Sequence, residues 1–407
     1  LYNTYWHRDE EMFKKLFPMS LRPQSHDIIR TWAFYSILRS EQIAESIPWK
    51  EIMINGFIMA PDGTPMHSSV GNVIDPVPIL EKYGADALRY YAATCSLGID
   101  HAFREPDVVR GRKLCNKIFN LGQFVTRFFD AKPEKECGTL RVSDRWILSR
   151  YSETVREATE WFDVYQFDKA LKAIEGFIWH EFADHYVEMA KGRDDKAVKY
   201  TLYNVFYGSL KLMAPIMPHV TEELYQTIFR QFEGDASIHT ASWPEPILFD
   251  KDAEDTGDVL KEVVAAVRAW KSEKKMPLNA EIALLELIGP ESSMLESARD
   301  DISETTKALK IAIADSAELV EEVIGVKPVH AKLGPAFKAA AKTIVAAISK
   351  MEPSDIAKQI ERGSVRIEAD ETYKLGPEYF ELEKRLTLGG KAVETIQVGG
   401  ILIVLEL

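Results

Sequence analysis

Two stretches carry residue types able to act on an anionic ligand. In Arg22-Pro23-Gln24-Ser25-His26-Asp27-Ile28-Ile29-Arg30-Thr31-Trp32, a polar run leads into a helical apolar pattern. A loop that feeds a helix presents unpaired amide hydrogens, which favour anions and polar ligands. Asp27 at that junction could accept from ribose hydroxyls; it could equally be a plain helix cap. Trp32, just over one turn on, either walls a small apolar pocket or belongs to the core. The second stretch, Asp62-Gly63-Thr64-Pro65-Met66-His67-Ser68-Ser69-Val70-Gly71-Asn72, is a polar loop with two glycines after an apolar run. Such loops cradle phosphates with backbone amides and hydroxyls, and the alternative is an ordinary surface loop.

Two further groups lie in helical sequence. In Trp179-His180-Glu181-Phe182-Ala183-Asp184-His185-Tyr186, Glu181 and His185 stand four apart on one face. That spacing suits a metal, but no third ligand has matching spacing, so no metal site is expected. From 104 to 150, Arg104, Arg110, Arg112, Lys113, Lys117, Arg127, Arg145 and Arg150 interleave with Phe119, Phe124 and Trp146. A polyanion could meet that stretch; a solvated face is the plainer reading.

The elements that must hold these residues follow from periodicity. Ile52 to Met59 reads as a strand broken by Gly56, then a turn at Pro61-Asp62-Gly63. Ile28 to Leu38 reads as a helix, and Asp75-Pro76 opens another, with Asp75 as cap. This alternation suits an α/β domain. From 106 to 230 the pattern is wholly helical: Val108–Phe129, a helix capped by Ser143, Phe167–Met189, Tyr200–Met213 and Val220–Phe232 form an up-and-down bundle. Trp243-Pro244-Glu245-Pro246 reads as an extended linker, Val259–Lys275 as a charged helix, and Ile282–Ile288 as a strand. Residues 291–314 read as mostly helical. The tail from 326 reads as a small α/β unit, with a helix starting at Gly334-Pro335 and strands at 365–367 and 401–405.

The composition frames this. The chain has 407 residues, 46% hydrophobic and 28% charged, which suits two or three globular domains and excludes wholesale disorder. No run of about 18 apolar residues occurs, so no membrane-spanning helix or membrane partner is expected. The start has no signal segment and no initiator Met, so the chain is expected to be processed or cut from something longer. Three dispersed cysteines give no disulfide framework and imply a reducing, cytoplasmic setting. The net charge of -13 argues against a nucleic-acid partner until its distribution is read. Residues 221–325 hold 10 Lys+Arg against 23 Asp+Glu, whereas 100–150 hold 11 against 7.

The order of these groups carries a resemblance. Met66-His67-Ser68-Ser69-Val70-Gly71-Asn72-Val73-Ile74-Asp75-Pro76, followed by Tyr83-Gly84-Ala85-Asp86-Ala87-Leu88-Arg89, resembles the second signature loop of class I aminoacyl-tRNA synthetases, Lys-Met-Ser-Lys-Ser-x-Gly-Asn, and its following helix. Phe177 to Glu188 and Ala214 to Leu224 resemble the anticodon domain of the valine/isoleucine/leucine subgroup. Arg22 to Trp32 is most similar to the archaeal-type valyl branch. Pro65, His67 and Ser68 depart from the family loop, standing where Lys, Ser and Lys are expected.

The resemblance implies ATP-dependent activation of valine and its transfer to tRNA(Val), with ATP and Mg2+ as substrate and no tightly bound cofactor. It implies ATP contacts at Gln24, Asp27, Met66, Ser68 and Ser69, catalytic roles for His67, Ser68 and Ser69, and a valine pocket at Ile28 and Trp32. tRNA contacts are expected at Arg110, Arg112, Lys113, Lys117, Arg145, Trp179 and His180. The family's first signature, His-x-Gly-His, and its editing insertion are not present, so the chain is expected to be a C-terminal portion, inactive alone and a monomer. The expected fold is multidomain α/β plus all-α: 1–105 as the C-terminal half of a Rossmann-like catalytic domain, 106–142 a stem-contact connection, 143–245 a helical-bundle anticodon-binding domain, 246–325 a linker and extension, and 326–407 a small α/β C-terminal unit. An isoleucyl or leucyl enzyme, or a synthetase-like paralogue that binds tRNA or a partner without catalysis, are the alternatives.

Overall fold

The computed structural model describes residues 5, 6, 8–135, 137–316, 319–388 and 391–406; the opening residues 1–4 lie outside these. Two units divide the chain, Leu1–Gly257 and Asp258–Leu407.

The first unit begins with α1 (Glu10–Leu16) and β1 (Met19–Ser25). A 3-10 turn (His26–Ile28), a π-helical turn (Ile29–Ala33) and α2 (Phe34–Ala44) then lead to β2 (Trp49–Asn55). β1 and β2 pair in parallel from Met19↔Trp49 to Ser25↔Asn55, which makes a strand–helix–strand crossover. The helix expected over Ile28–Leu38 therefore opens as tighter and wider turns and runs on to Ala44. The strand expected over Ile52–Met59 breaks at Gly56, as its glycine suggests, and resumes as β3 (Ile58–Met59). A Cβ on Gly56 would stand 1.9 Å from the carbonyl oxygen of Ile99, so only glycine allows the two backbones this close. That contact leads into β4 (His101–Ala102), parallel to β3. After the polar loop, α3 (Pro76–Tyr83) starts as expected: Asp75 caps it, accepting from the Val77 amide at 2.9 Å, with Pro76 at the first position. α4 (Ala85–Thr94) follows.

The bundle is built from α5 (Glu105–Val125), α6 (Val142–Asp163), α7 (Phe167–Gly176), α8 (Val187–Ala190), α9 (Lys196–Met213), α10 (Pro218–Leu224) and α11 (Arg230–Glu233). A π-helical segment, Phe177–Tyr186, joins α7 to α8. On α5, Leu114, Ile118, Leu121 and Val125 recur at helical spacing and all are buried. The expected cap of α6 is corrected. Arg141, not Ser143, occupies the capping position, and the side chain of Asp144 accepts from the Arg141 amide at 3.0 Å. Asp144 is fully buried and also accepts from Tyr186 Oη (2.6 Å) and from two guanidinium nitrogens of buried Arg193 (2.8 and 2.7 Å).

Residues 243–250 are extended, but they are a strap rather than a free linker. Trp243 Nε1 donates to Thr159 Oγ1 (2.8 Å), the amides of Ile247 and Leu248 donate to Ser152 Oγ (2.8 and 3.0 Å), and the Asp250 amide donates to Ser149 Oγ (2.9 Å). The charged helix α12 (Lys251–Glu273) starts eight residues before the Val259 expected.

The second unit holds a four-stranded sheet of order β12-β13-β5-β6, formed by β5 (Leu284–Ile288), β6 (Ile311–Ala314), β12 (Glu394–Val398) and β13 (Ile401–Glu406). The division expected at residue 326 is corrected here: β13 pairs with β5, from Leu402↔Ile288 to Glu406↔Leu284, and so returns to the earlier segment. Residues 291–314 contain α13 (Arg299–Thr306) but end in the strand β6 rather than helix. A long strand missed by periodicity, β7 (Leu319–Pro328), is followed by α14 (His330–Phe337), α15 (Ala341–Ile348) and α16 (Pro353–Glu361). α14 begins four residues before the expected Gly334, and Pro335 lies inside it. β8 (Val365–Glu368) pairs with β9 (Thr372–Leu375), while β10 (Phe380–Leu388) pairs with β7 and with β11 (Lys391–Ala392). Leu333, Ile344, Ile348, Ile356, Val365, Ile367 and Leu375 form a buried cluster beneath them.

Candidate nucleotide site and basic groove

At the carboxyl end of parallel strand β1 the polar bookkeeping fails. Arg22 Nε, Gln24 Oε1 and Ser25 Oγ are buried and have no hydrogen-bond partner among the described residues. Buried polar atoms nearly always find partners, so three orphans within four residues make this a candidate binding place. In open α/β sheets, ligands bind at the carboxyl ends of parallel strands. His26 Nε2 lies 2.9 Å from Asp100 Oδ1, which also accepts from the Phe57 amide at 2.8 Å. These bonds, the amide first, hold the Asp100 carboxyl below its usual range. They also fix the β1 end against the segment entering β3. Asp27 is exposed within the 3-10 turn, beside these atoms in sequence.

Ile28 is half-buried. Trp32 is 44% exposed, so it is not a core residue. Its ring stacks on Trp49 (centroids 5.9 Å, 13°), and the Arg22 guanidinium lies 3.7 Å from its centroid.

The polar loop is held from within. Asp62 Oδ1 accepts from the Thr64 amide (3.0 Å) and hydroxyl (2.7 Å). Asn72 spans the loop: its Oδ1 accepts from the His67 amide (2.8 Å), and its Nδ2 donates to Thr64 Oγ1 (3.1 Å) and Pro65 O (2.9 Å). Gly71 turns back at φ +75, a conformation that favours glycine. His67, Ser68 and Ser69 are exposed at the tip, and Met66 is half-buried. Sequence reading matched Asn72 to a motif and missed its role as the clamp; its two donors and one acceptor, five residues past His67, were the available signal.

The basic stretch is less bare than its composition implies. Arg110 Nε donates to Glu175 (2.8 Å), Arg145 is held by Asp250 (2.7 Å to Nε), and Lys117 pairs with Asp184. Arg145, an expected tRNA contact, is thus one side of an ion pair. Lys117 also lies 4.8 Å from the Trp179 centroid, and His180 Nδ1 is 3.5 Å from Asp184. Glu181 is taken by Arg150 (2.9 and 2.7 Å). A groove of about 740 Å³ brings Arg110, Lys113, Trp179 and His180 together with Lys82 and Glu105, two residues the sequence did not single out. Lys82 and Tyr83 both donate to Glu105, at 2.9 and 2.6 Å. Arg112 is exposed on α5 outside this lining.

Residues 3–104 match the family of class I tRNA synthetases (I, L, M and V), and residues 144–287 match the anticodon-binding domain of tRNA ligases. The valine–tRNA ligase of Pyrococcus furiosus is 37% identical over 97% of this chain, and that of Methanothermobacter thermautotrophicus 36% identical over 98%. The chain belongs to the class I aminoacyl-tRNA synthetases. It spans about half the length of these relatives, 47% and 46%, and corresponds to their C-terminal portion. Among solved structures, the Agrobacterium radiobacter K84 agnB2 LeuRS-tRNA-LeuAMS complex is similar at 18% identity and TM-score 0.48, covering 58% of this chain and 30% of that one.

The two matched regions of this synthetase chain are joined at α4. The buried carboxylate of Asp86 accepts from the His219 (3.1 Å) and Val220 (2.7 Å) amides and so supplies the cap that α10 lacks in its own sequence. Arg89 donates to the carbonyls of Pro215 (2.7 Å) and Ile216 (3.0 Å). The tracts Tyr83–Arg89 and Ala214–Leu224 thus complete each other.

Proposed function

We propose that the chain supplies the triphosphate loop, one wall of the amino-acid pocket and the tRNA-binding helices of a valine–tRNA ligase. The observation that carries this is the set of unpartnered buried atoms at the β1 end, adjoining Asp27 and Trp32 in a sequence similar throughout to valine–tRNA ligases. Asp27 accepts from the ribose hydroxyls of ATP, which enters with Mg2+ as substrate. Gln24 Oε1 and Ser25 Oγ complete the polar contacts. The loop from Met66 to Ser69, fixed by Asn72, wraps the triphosphate with backbone amides and hydroxyls. Ile28 and Trp32 face the valine side chain, where one methylene is worth about 1–3 kcal/mol of discrimination. The valine carboxylate attacks the α-phosphorus and pyrophosphate leaves; a terminal ribose hydroxyl of tRNA(Val) then attacks the activated carbonyl and AMP leaves.

ATP–pyrophosphate exchange tests the reading. The full-length protein should exchange with valine ahead of isoleucine and leucine, and this chain alone should not, because the transition state needs walls that it does not carry. Exchange that ignores valine would overturn the proposal.

One observation favours a second reading, a tRNA-binding paralogue without catalysis. No Lys or Arg occurs between Lys50 and Lys82, so the loop tip offers only His67 as a cation. In the full-length protein, Ser68→Lys should raise turnover by about tenfold or more at unchanged valine KM, since phosphate charge is greatest in the transition state. Unchanged turnover would make the paralogue the better reading.

A further inference from the structure

We infer that the groove bordered by α3, α5 and α7 is a subsite for one unstacked nucleotide of the tRNA, with its base on Trp179 and its phosphates on Arg110 and Lys113. This rests on the tRNA reading above and adds to it a division of labour between stacking and charge.

The space, about 740 Å³, suits a nucleotide with its flanking phosphates. Trp179 is half-buried and already ordered. It packs against the bundle core, and the Lys117 ammonium, paired with Asp184, sits over the ring, 4.8 Å from its centroid. A ring fixed beforehand loses little freedom when a base lies on it. Its indole N–H has no acceptor among the described residues, so a donor remains for a base edge. Arg110 is held through Nε by Glu175, a buried carboxylate that also accepts from Tyr90 Oη at 2.8 Å. The two terminal nitrogens of Arg110 have no partner among the described residues, which leaves the fork that suits a phosphate. Lys113 has no ion pair among the described residues. Base stacking tolerates any sequence, whereas phosphate contacts release counterions and respond to salt.

The two contributions separate by salt titration of the full chain against a tRNA(Val) transcript, followed by fluorescence anisotropy. Trp179→Ala should weaken binding by about tenfold or more with an unchanged salt slope, and Trp179→Phe should restore most of it. Lys113→Ala should lower the slope of log K against log salt by about 0.7. If Trp179→Ala fails to fold, Trp179→Phe and Lys113→Ala still decide: a Phe variant that binds as poorly as a Lys113→Ala/Arg110→Ala double variant overturns the stacking role. Wild-type chain that binds tRNA while all these variants match it overturns the subsite alone. Wild-type chain that does not bind tRNA overturns both the subsite and the proposed partner.

Discussion

The helical bundle and the first sixty residues differ in how fully their buried polar groups are served. In the bundle even the deepest charges are answered: Asp144 and Arg193, with side chains 0% and 1% exposed, bond each other, and Tyr186 and the Arg141 amide supply further donors. Among the described residues of the first sixty, three buried polar atoms go unanswered. α2 there buries only Ser40, while Phe34, Tyr35, Ile37, Leu38 and Ile43 lie exposed. Parallel strands and their crossover helices normally hide both faces. Among the described residues the bundle leaves one buried hydroxyl without a partner, Thr201 Oγ1, whereas the β1 end leaves three atoms within four residues. Local rules fail most often at functional sites, and this clustering is why the proposed ATP contacts are placed at the β1 end.

The comparison is easiest to break at the buried pair. Arg193→Ala strands the Asp144 charge in the core and should lower stability by about 3–5 kcal/mol in urea unfolding of the chain. A loss below about 1 kcal/mol would mean that the bundle is no more committed than the β1 end. The second substitution sharpens the contrast from the other side. Gln24→Leu removes an unpaired buried carbonyl and should leave stability unchanged or raise it by up to about 1 kcal/mol, while impairing ATP use in the full-length protein. A clear destabilisation would show that Gln24 serves the fold.

A smaller effect concerns pH. Burial alone would raise the Asp195 carboxyl, but bonds from Arg193 and the Val198 amide outweigh it and hold the group below its usual range. A carboxyl lowered in the folded state adds stability that is fully present above its unfolded value, about 3.9, and is lost as pH falls through the folded value. Urea midpoints should therefore fall below about pH 4, and Asp195→Asn should flatten that part of the curve. A variant that tracks the wild type throughout would remove Asp195 from the network.

Much of the helical architecture was legible because its signals are local. Asp75 before Pro76, and the spacing of Leu114, Ile118, Leu121 and Val125, name their own elements. β7 and β10 were not legible for an equally physical reason. Their ladder carries charge across it, with Lys384 Nζ 2.7 Å from Glu321 and Arg385 facing Glu322, so no apolar alternation announces it. The site followed the same division. The residues around Gln24 and Asp27 fall within one short stretch and could be read together. The charge state of the basic groove could not, because Arg110, Lys117 and Arg145 are answered by Glu175, Asp184 and Asp250, residues 65, 67 and 105 positions away. Counting cations along a sequence overstates what a polyanion would meet.

The place of β13 between β12 and β5 has a consequence for how the second unit comes into being. Its pairing with β5 joins residues more than one hundred positions apart, Ile288 with Leu402, so the sheet cannot close until all the intervening chain exists. Contacts of such long range are slow to form, because the loop must close before any bond rewards it. Until then the β13-facing edge of β5 stays open and its apolar residues Leu285 and Leu287 lack their final cover, which makes this interval during synthesis the time at which the chain is most exposed to mispairing and to proteases.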